Sequence, residues 1–315
     1  MKILANDGME NSCREQLETA GFEVDTNKIS ATELPTAIKN YDALTVRSAT
    51  KVTREILDAA SRLKLIVRGG VGMDNIDVKY AEAKGIRVRN TPASSSESVA
   101  ELVFAHLFSL TRNLHLSHRT MPADGNSNFN ELKKSYSSGI ELRGKTLGII
   151  GLGNIGAAVA RIAFGLGMKV KATDPFTKQK TIHLDLPGGQ SVAIPVMTVD
   201  FNEVISTSDF ITIHTAGALQ IISAQDFARM KPGVMLINCA RGGVVNEKDL
   251  LAALNSGKLA AAGLDVFENE PSPSKEILSH PRVSLSPHIG GSTLEAQQRI
   301  GGELAQIVIE FFSRK

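Results

Sequence analysis

Short apolar runs alternate with longer stretches of helical period along almost the whole chain, the pattern of a parallel α/β sheet. Residues 1–4, 22–24, 43–46, 63–67 and 87–89 read as strands. Between them 12–20, 54–60 and 75–84 carry helical spacing, with Gly21 and Gly85 as stops. The run at 63–67 leads directly into Arg68-Gly69-Gly70, and this first block closes near residue 96. A long helix follows. Ser98 and Glu101 have the spacing of a capping box, and 99–110 is apolar nearly all round, so this helix is expected to be buried on every side. Its cover is either its own chain or, in part, a second copy. Residues 122–139 are polar and read as an exposed loop with one short helix. From residue 146 the alternation resumes, with strands at 146–150, 169–173, 210–214, 234–238 and 259–265. Helices are expected at 155–165 and 247–256, and a terminal one at 294–312. The expected class is α/β, with two doubly wound parallel-sheet domains: 1–96 plus 288–315, and 97–287.

Composition narrows the class without changing it. A chain of 315 residues holds two domains at about 150 residues each. Lys plus Arg number 35 against 33 for Asp plus Glu, so no basic field exists to hold nucleic acid or an acidic membrane. Two cysteines, Cys13 and Cys239, cannot make a disulfide framework. The start turns polar after a few residues, too soon for a signal peptide, and no window approaches the ~18 apolar residues of a membrane span. A cytoplasmic protein is expected.

Gly151-Leu152-Gly153-Asn154-Ile155-Gly156 is a G-x-G-x-x-G turn between a buried strand and a helix, and Asp174 ends the next strand 23 positions after Gly151. Gly151 permits the tight turn, Gly153 lets backbone reach a pyrophosphate, and Gly156 lets helix and strand pack closely. The pyrophosphate then meets the N–H groups that open the helix. Asp174 accepts hydrogen bonds from ribose hydroxyls and repels a 2′-phosphate, and Pro175-Phe176-Thr177 supplies no Arg to offset that. NAD is therefore expected over NADP, with Lys178 nearby in sequence tempering the preference.

Three further segments carry reactive side chains at strand ends: Asn238-Cys239-Ala240-Arg241-Gly242-Gly243, Asp265-Val266-Phe267-Glu268-Asn269-Glu270-Pro271 and Ser286-Pro287-His288-Ile289-Gly290-Gly291. Singly each has a bland reading as a turn, a solvated loop or a structural histidine. Together, in this order and with the glycine turn, they resemble the D-isomer-specific 2-hydroxyacid dehydrogenases over essentially the whole chain. The resemblance implies Rossmann-type domains, with Arg241 on the substrate carboxylate, His288 as general acid/base and Glu270 holding His288. The roles suit the groups: a guanidinium fork fits a carboxylate, imidazole exchanges a proton near neutrality, and a carboxylate beside it favours the imidazolium. The resemblance also implies cofactor contacts at Asn154, Ile155, His214, Thr215, Cys239, Ala240, Arg241, Asp265, His288, Gly290 and Gly291. Hydride transfer needs no metal and none is expected; His115 and His118 lack the companions of a metal site. His106 and His183 have no motif around them, and His280 reads as loop structure. Cys239 is read as a packing residue, with a reactive thiol as the alternative.

Within the family the chain is similar to members that oxidise D-3-phosphoglycerate with NAD, the opening step of serine synthesis. That similarity lies in Val46-Arg47-Ser48-Ala49-Thr50-Lys51-Val52-Thr53 and in the stretch 67–77. It implies that Arg47, Ser48 and Arg68 meet a substrate phosphate and that backbone N–H groups at Gly70 and Val71 grip the carboxylate. A phosphorylated 2-hydroxy acid carries about two phosphate charges, for which two guanidinium groups form a seat. The resemblance further implies an active site between the two domains and a homodimer built on the cofactor domain. The sequence departs from the family in Ala216-Gly217-Ala218-Leu219, a shortened loop after Thr215, and in Ser95, where an Asn is common. A basic residue sent across the dimer falls on Lys133 or Lys134. The chain stops at Lys315, so serine feedback through a further regulatory domain is not expected. Two rival readings stand: a glyoxylate or hydroxypyruvate reductase, and an NADH-sensing corepressor.

Overall fold

The computed structural model of the protein describes residues 1–313 and divides into two units, one holding Met1–Ser96 with the stretch from Gly291, the other Glu97–Gly290. Arg314 and Lys315, assigned by sequence to the first domain, lie outside the described residues.

In the first unit β1 (Lys2–Ala5), α1 (Asn11–Thr19), β2 (Glu23–Asp25), α2 (Leu34–Ala37), β3 (Ala43–Val46), α3 (Arg54–Ala59), β4 (Leu65–Arg68), α4 (Val78–Ala83) and β5 (Arg87–Asn90) follow in order. The strands form one parallel sheet ordered β2-β1-β3-β4-β5. Alternation along the strands sends Ile3, Ala43, Leu65 and Val67 to one face and Leu4, Leu44, Val46, Ile66 and Val88 to the other. Both faces are covered by helices, so the strands read as unbroken apolar runs. The predicted helix over 75–84 is confined to α4, because Asp77 caps it by accepting from the Tyr80 N–H.

The second unit begins with α5 (Ser96–Thr111), α6 (Leu114–Asp124) and α7 (Phe129–Ser135). It continues through β6 (Thr146–Ile150), α8 (Asn154–Gly165), β7 (Lys169–Thr173), β8 (Gln179–Leu186), β9 (Gln190–Met197), α9 (Phe201–Thr207), β10 (Phe210–Ile213) and α10 (Ala224–Arg229). It closes with β11 (Val234–Asn238), α11 (Glu247–Asn255), β12 (Leu259–Leu264), α12 (Lys275–Ser279) and β13 (Val283–Leu285). Six of these strands make a parallel sheet ordered β13-β12-β11-β10-β6-β7. Strand order reverses between β6 and β10, and ligands of such sheets bind at the carboxyl ends beside that reversal. Ile149 and Ile237 pack on one face, Ile150, Leu236 and Leu264 on the other. The chain then re-enters the first unit as α13 (Leu294–Ser313), whose Leu304, Ala305 and Val308 pack with Ile3, Leu17 and Val67.

Three expectations are corrected. Ser98 and Glu101 are not a capping box, since α5 already starts at Ser96 and both lie inside it. Of the two covers expected for α5, its own chain supplies only part: Val103, Phe104 and Leu107 are enclosed, but Glu101, Ala105 and Phe108 line an exposed stripe. The polar segment is more helical than predicted, with α6 continuing to Asp124 before α7. The antiparallel β8–β9 hairpin was not foreseen. Ile182 and Val196 anchor it in the core cluster that includes α8. His288, Ile289 and Gly290 stay with the second unit, three residues beyond the expected boundary, because all three backbone N–H groups bond to Asp265.

Candidate active site

The glycine turn opens at the carboxyl end of β6. Gly151 has φ +96°, and a Cβ there would fall 2.6 Å from the His214 carbonyl oxygen. A Cβ on Gly156 would meet the Gly151 carbonyl oxygen at 2.1 Å, so α8 approaches the turn only because that atom is missing. At Gly153 a Cβ would meet nothing, leaving open space before α8, whose N-terminus no side chain caps. Beside it the Oγ1 of Thr215 and the Nδ1 of His214 are buried with no partner. Donors facing an open glycine, together with orphaned polar atoms, fit a dinucleotide.

Asp174 sits where sequence placed it, and it also braces the turn. Its Oδ2 accepts from the Leu152 N–H at 2.7 Å, and its Oδ1 from those of Phe176 and Thr177 at 2.9 and 3.0 Å. Burial works to raise this carboxyl, but the N–H donors outweigh it and hold it below the ordinary carboxylate value. Each oxygen keeps acceptor capacity for a ribose hydroxyl. Desolvation pulls the His214 imidazole down to about 3, so it is neutral, and its Nε2 lies 2.9 Å from Thr212 Oγ1. Lys180, on the unforeseen hairpin, sets its ammonium 3.3 and 3.1 Å from the carbonyl oxygens of Leu152 and Gly153.

The ends of β11, β12 and β13 carry the other predicted residues. Asn238 shapes the first turn: its Oδ1 accepts from the Ala240 N–H at 3.1 Å and its Nδ2 donates to the Arg241 carbonyl at 3.0 Å. The Arg241 guanidinium donates to the Ala240 carbonyl at 2.6 Å. A Cβ on Gly242 would fall 1.8 Å from the Phe267 carbonyl oxygen, so this turn and the one bearing Glu270 touch backbone to backbone. Glu270 Oε1 accepts from the Phe267 N–H at 2.9 Å, and its Oε2 lies 2.8 Å from His288 Nδ1. Since an ionised carboxylate only accepts, Nδ1 carries the proton, and Nε2 is the nitrogen left for proton exchange. Glu247 and Glu268 bind each other's backbone N–H at 2.8 Å, tying α11 to the same loop. Burial, with the Glu268 and Glu270 charges, raises the Glu247 carboxyl.

Cys239 is 7% exposed, and burial first, then the Asp265 charge, pushes its thiol well above the usual range. That is a packing residue and not a nucleophile. His115 is spent on the carbonyls of Ser109 and Pro281. Among the described residues no group of three or more His, Cys, Asp or Glu is placed to hold a metal ion, and no helix is long and apolar enough to cross a membrane.

In the first unit Arg47 and Ser48 are exposed just beyond β3. Asp7 holds their loop, accepting from the N–H groups of Arg47 and Thr50 at 2.7 and 3.0 Å. Asn75 holds it from the other side, donating to the Arg47 and Thr50 carbonyls. A Cβ on Gly69 would come 3.8 Å from Arg47 Cγ, and one on Gly70 1.8 Å from Arg68 Nη1. Both arginines therefore flank one glycine turn. The Gly70 N–H donates to Thr91 Oγ1 at 2.7 Å, so of the backbone donors expected around Gly70 and Val71 this one has a partner within the chain. Val71 is half-buried, and its carbonyl accepts from Asn90 Nδ2. Asp7, Asn75, Asn238 and Lys180 were not singled out from sequence, where a lone Asp, Asn or Lys has no periodic signal.

Residues 104–290 match the family model described as D-isomer specific 2-hydroxyacid dehydrogenase, NAD binding domain. The hydroxypyruvate reductase of Thermotoga maritima is 41% identical, over 98% of this chain and 97% of its own length. The D-3-phosphoglycerate dehydrogenase of Methanocaldococcus jannaschii is 40% identical over 97% of this chain, which spans only 56% of that relative. Among solved structures, Aquifex aeolicus D-lactate dehydrogenase, complexed with NAD and lactic acid, superposes with a TM-score of 0.77 at 29% identity, covering 99% of this chain and 96% of that one. With its glycine turn and the paired His288 and Glu270 at the carboxyl edge of one parallel sheet, the chain belongs to the D-isomer-specific 2-hydroxyacid dehydrogenase family and carries that family's NAD-binding domain.

Proposed function

We propose that the protein oxidises D-3-phosphoglycerate to 3-phosphohydroxypyruvate, the step that opens serine synthesis. The observation that carries the substrate is the pairing of Arg47 and Arg68 around the Gly69-Gly70 turn, a seat for a dianionic phosphate. NAD, when bound, supplies the hydride acceptor. In the second unit Arg241 holds the substrate carboxylate as a bidentate fork. His288 takes the hydroxyl proton on Nε2 as hydride leaves the adjacent carbon, and Glu270 on Nδ1 stabilises the imidazolium that results. In the reverse direction the imidazolium returns that proton to the keto oxygen. Ser48 adds a hydroxyl beside the phosphate. Gly290, Gly291, Cys239 and Ala240 contribute backbone, and Asn154 and Ile155 the N–H groups at the start of α8.

A homodimer belongs to the same proposal, supported by the exposed Phe108, Leu114 and Met121 of α5 and α6. So does a cytoplasmic location, supported by two buried free thiols, Cys13 and Cys239.

A second reading, reduction of hydroxypyruvate, is favoured by the Thermotoga maritima relative, which the chain covers nearly end to end. Initial rates of NADH oxidation with 3-phosphohydroxypyruvate, hydroxypyruvate and glyoxylate decide between them. Phosphoglycerate chemistry requires the phosphorylated acid to lead, and Arg47→Leu to lower its kcat/KM by about 10–100-fold while sparing hydroxypyruvate. An equal loss on both acids removes the phosphate seat, and preference for the unphosphorylated acid selects the second reading.

A further inference from the structure

We propose that His106, buried in α5, is a positioning residue that holds the backbone turn bearing His288, acting through Ser286 and Asp265. Only the catalytic consequence of this rests on reading His288 as the acid/base.

His106 is 4% exposed on an otherwise apolar helix face. Its Nδ1 lies 2.9 Å from Ser284 Oγ and its Nε2 3.0 Å from Ser286 Oγ. Ser286 Oγ lies in turn 2.6 Å from Asp265 Oδ1. A carboxylate has no proton to give, so the Ser286 hydroxyl donates to Asp265. That hydroxyl must then accept from Nε2–H, which makes Nδ1 the bare nitrogen, accepting from Ser284. The chain runs one way: Ser284 to His106 to Ser286 to Asp265. Burial pulls the His106 imidazole below its ordinary value, against the Asp265 charge, and the neutral ring is the one with a single donor and a single acceptor.

Asp265, 1% exposed, spends the rest of its capacity on the turn. Its Oδ1 takes the Ile289 N–H at 2.9 Å, its Oδ2 the Gly290 N–H at 2.8 Å, and its backbone carbonyl the His288 N–H at 2.8 Å. His288 sits in this turn at φ +54°, a left-handed conformation that a side-chain-bearing residue keeps only where its surroundings over-determine it. The packing leaves room for this chain of bonds: a Cβ on Gly263 would lie 2.8 Å from His106 Cβ, and one on Gly290 3.1 Å from Asp265 Oδ2.

Hydrogen–deuterium exchange on the full chain tests the link with three variants. His106→Leu and Ser286→Ala each cut the chain of bonds, whereas His106→Gln keeps one donor and one acceptor. The first two are expected to speed exchange at Ile289 and Gly290 about tenfold or more, with β6 and β10 unchanged, and His106→Gln to retain protection. Hydride transfer in a single turnover should slow about tenfold in the same two variants, while the NADH Kd from fluorescence titration stays within twofold. Wild-type exchange in both cut variants, or a Gln variant that behaves like Leu, overturns the proposal. Should His106→Leu fail to fold, Ser286→Ala cuts the same link and decides alone. His288→Gln separates the two readings: turnover that survives it ends the acid/base role, while the exchange result still decides what His106 does.

Discussion

At the scale of single residues, the proposed chemistry turns on one carboxylate placed 2.8 Å from one ring. Glu270 has its two oxygens committed to different tasks, one to the Phe267 N–H that fixes its carboxylate and one to His288 Nδ1. Replacing it by Gln keeps the shape and removes the negative charge that faces Nδ1. Glu270→Gln is expected to lower kcat by about 100-fold, the scale of a lost general-acid/base contribution, with the NADH Kd unchanged. Steady-state rates beside a fluorescence titration check this, and an unaltered kcat would remove Glu270 from the mechanism. The pairing of Glu270 with His288 could be anticipated from the sequence because the order and neighbours of the two segments are distinctive. The role of His106 could not, because its partners Ser284 and Ser286 lie far along the chain, and Asn238, which shapes the Arg241 turn through neighbours two and three residues on, passed as one more loop-forming Asn.

At the scale of elements, the parallel strands were the most legible part: 146–150 and 234–238 were read to the residue because strands covered on both faces are continuous apolar runs, and 169–173, at the sheet edge, by its β-prone alternation before Asp174-Pro175. The β8–β9 hairpin escaped because it lies mostly in solvent, and its two anchors, Ile182 and Val196, are too few to print a period. It nonetheless brings a cation to the glycine turn. A positive charge at the N-terminus of α8 opposes the helix dipole, and the carbonyls of Leu152 and Gly153 hold Lys180 there. An arriving dinucleotide phosphate relieves that opposition. Lys180→Gln is therefore expected to weaken NADH binding about fivefold at low salt and to flatten its salt dependence. Titrations at two ionic strengths read both, and unchanged affinity at low salt would make Lys180 a purely structural contact.

At the scale of the molecule, acid is the predicted weakness. Burial lowers the imidazoles of His214, His106 and His280, so the folded chain keeps them neutral while the unfolded chain protonates them near their ordinary value of about 6.5. Their stabilisation is complete above that value and falls away below it, for His214 down to about 3. The depressed carboxyls of Asp42, Asp174 and Asp209 add a further loss at lower pH, where the unfolded chain takes up protons that the fold still refuses, until acid protonates them in the fold as well. Denaturant unfolding between pH 7.5 and 4.5 should show stability level at first and then declining below about 6.5, with a slope of at least one proton taken up on unfolding. A flat profile to pH 4.5 would contradict the buried neutral imidazoles.

The sequence by itself determined the two-sheet α/β class and the glycine turn with the aspartate that ends the next strand, because strand runs and a G-x-G-x-x-G turn are written in residues close together in the chain. Tertiary structure alone decided which hydrogen-bond donors remain available and which are spent. It took the Gly70 N–H for Thr91, turned a motifless histidine into part of the support for His288, and carried Lys180 to the glycine turn. A hydrogen bond is fixed by where two groups lie in space, and in these three cases the partner stands 21, 180 and 27 residues away along the chain.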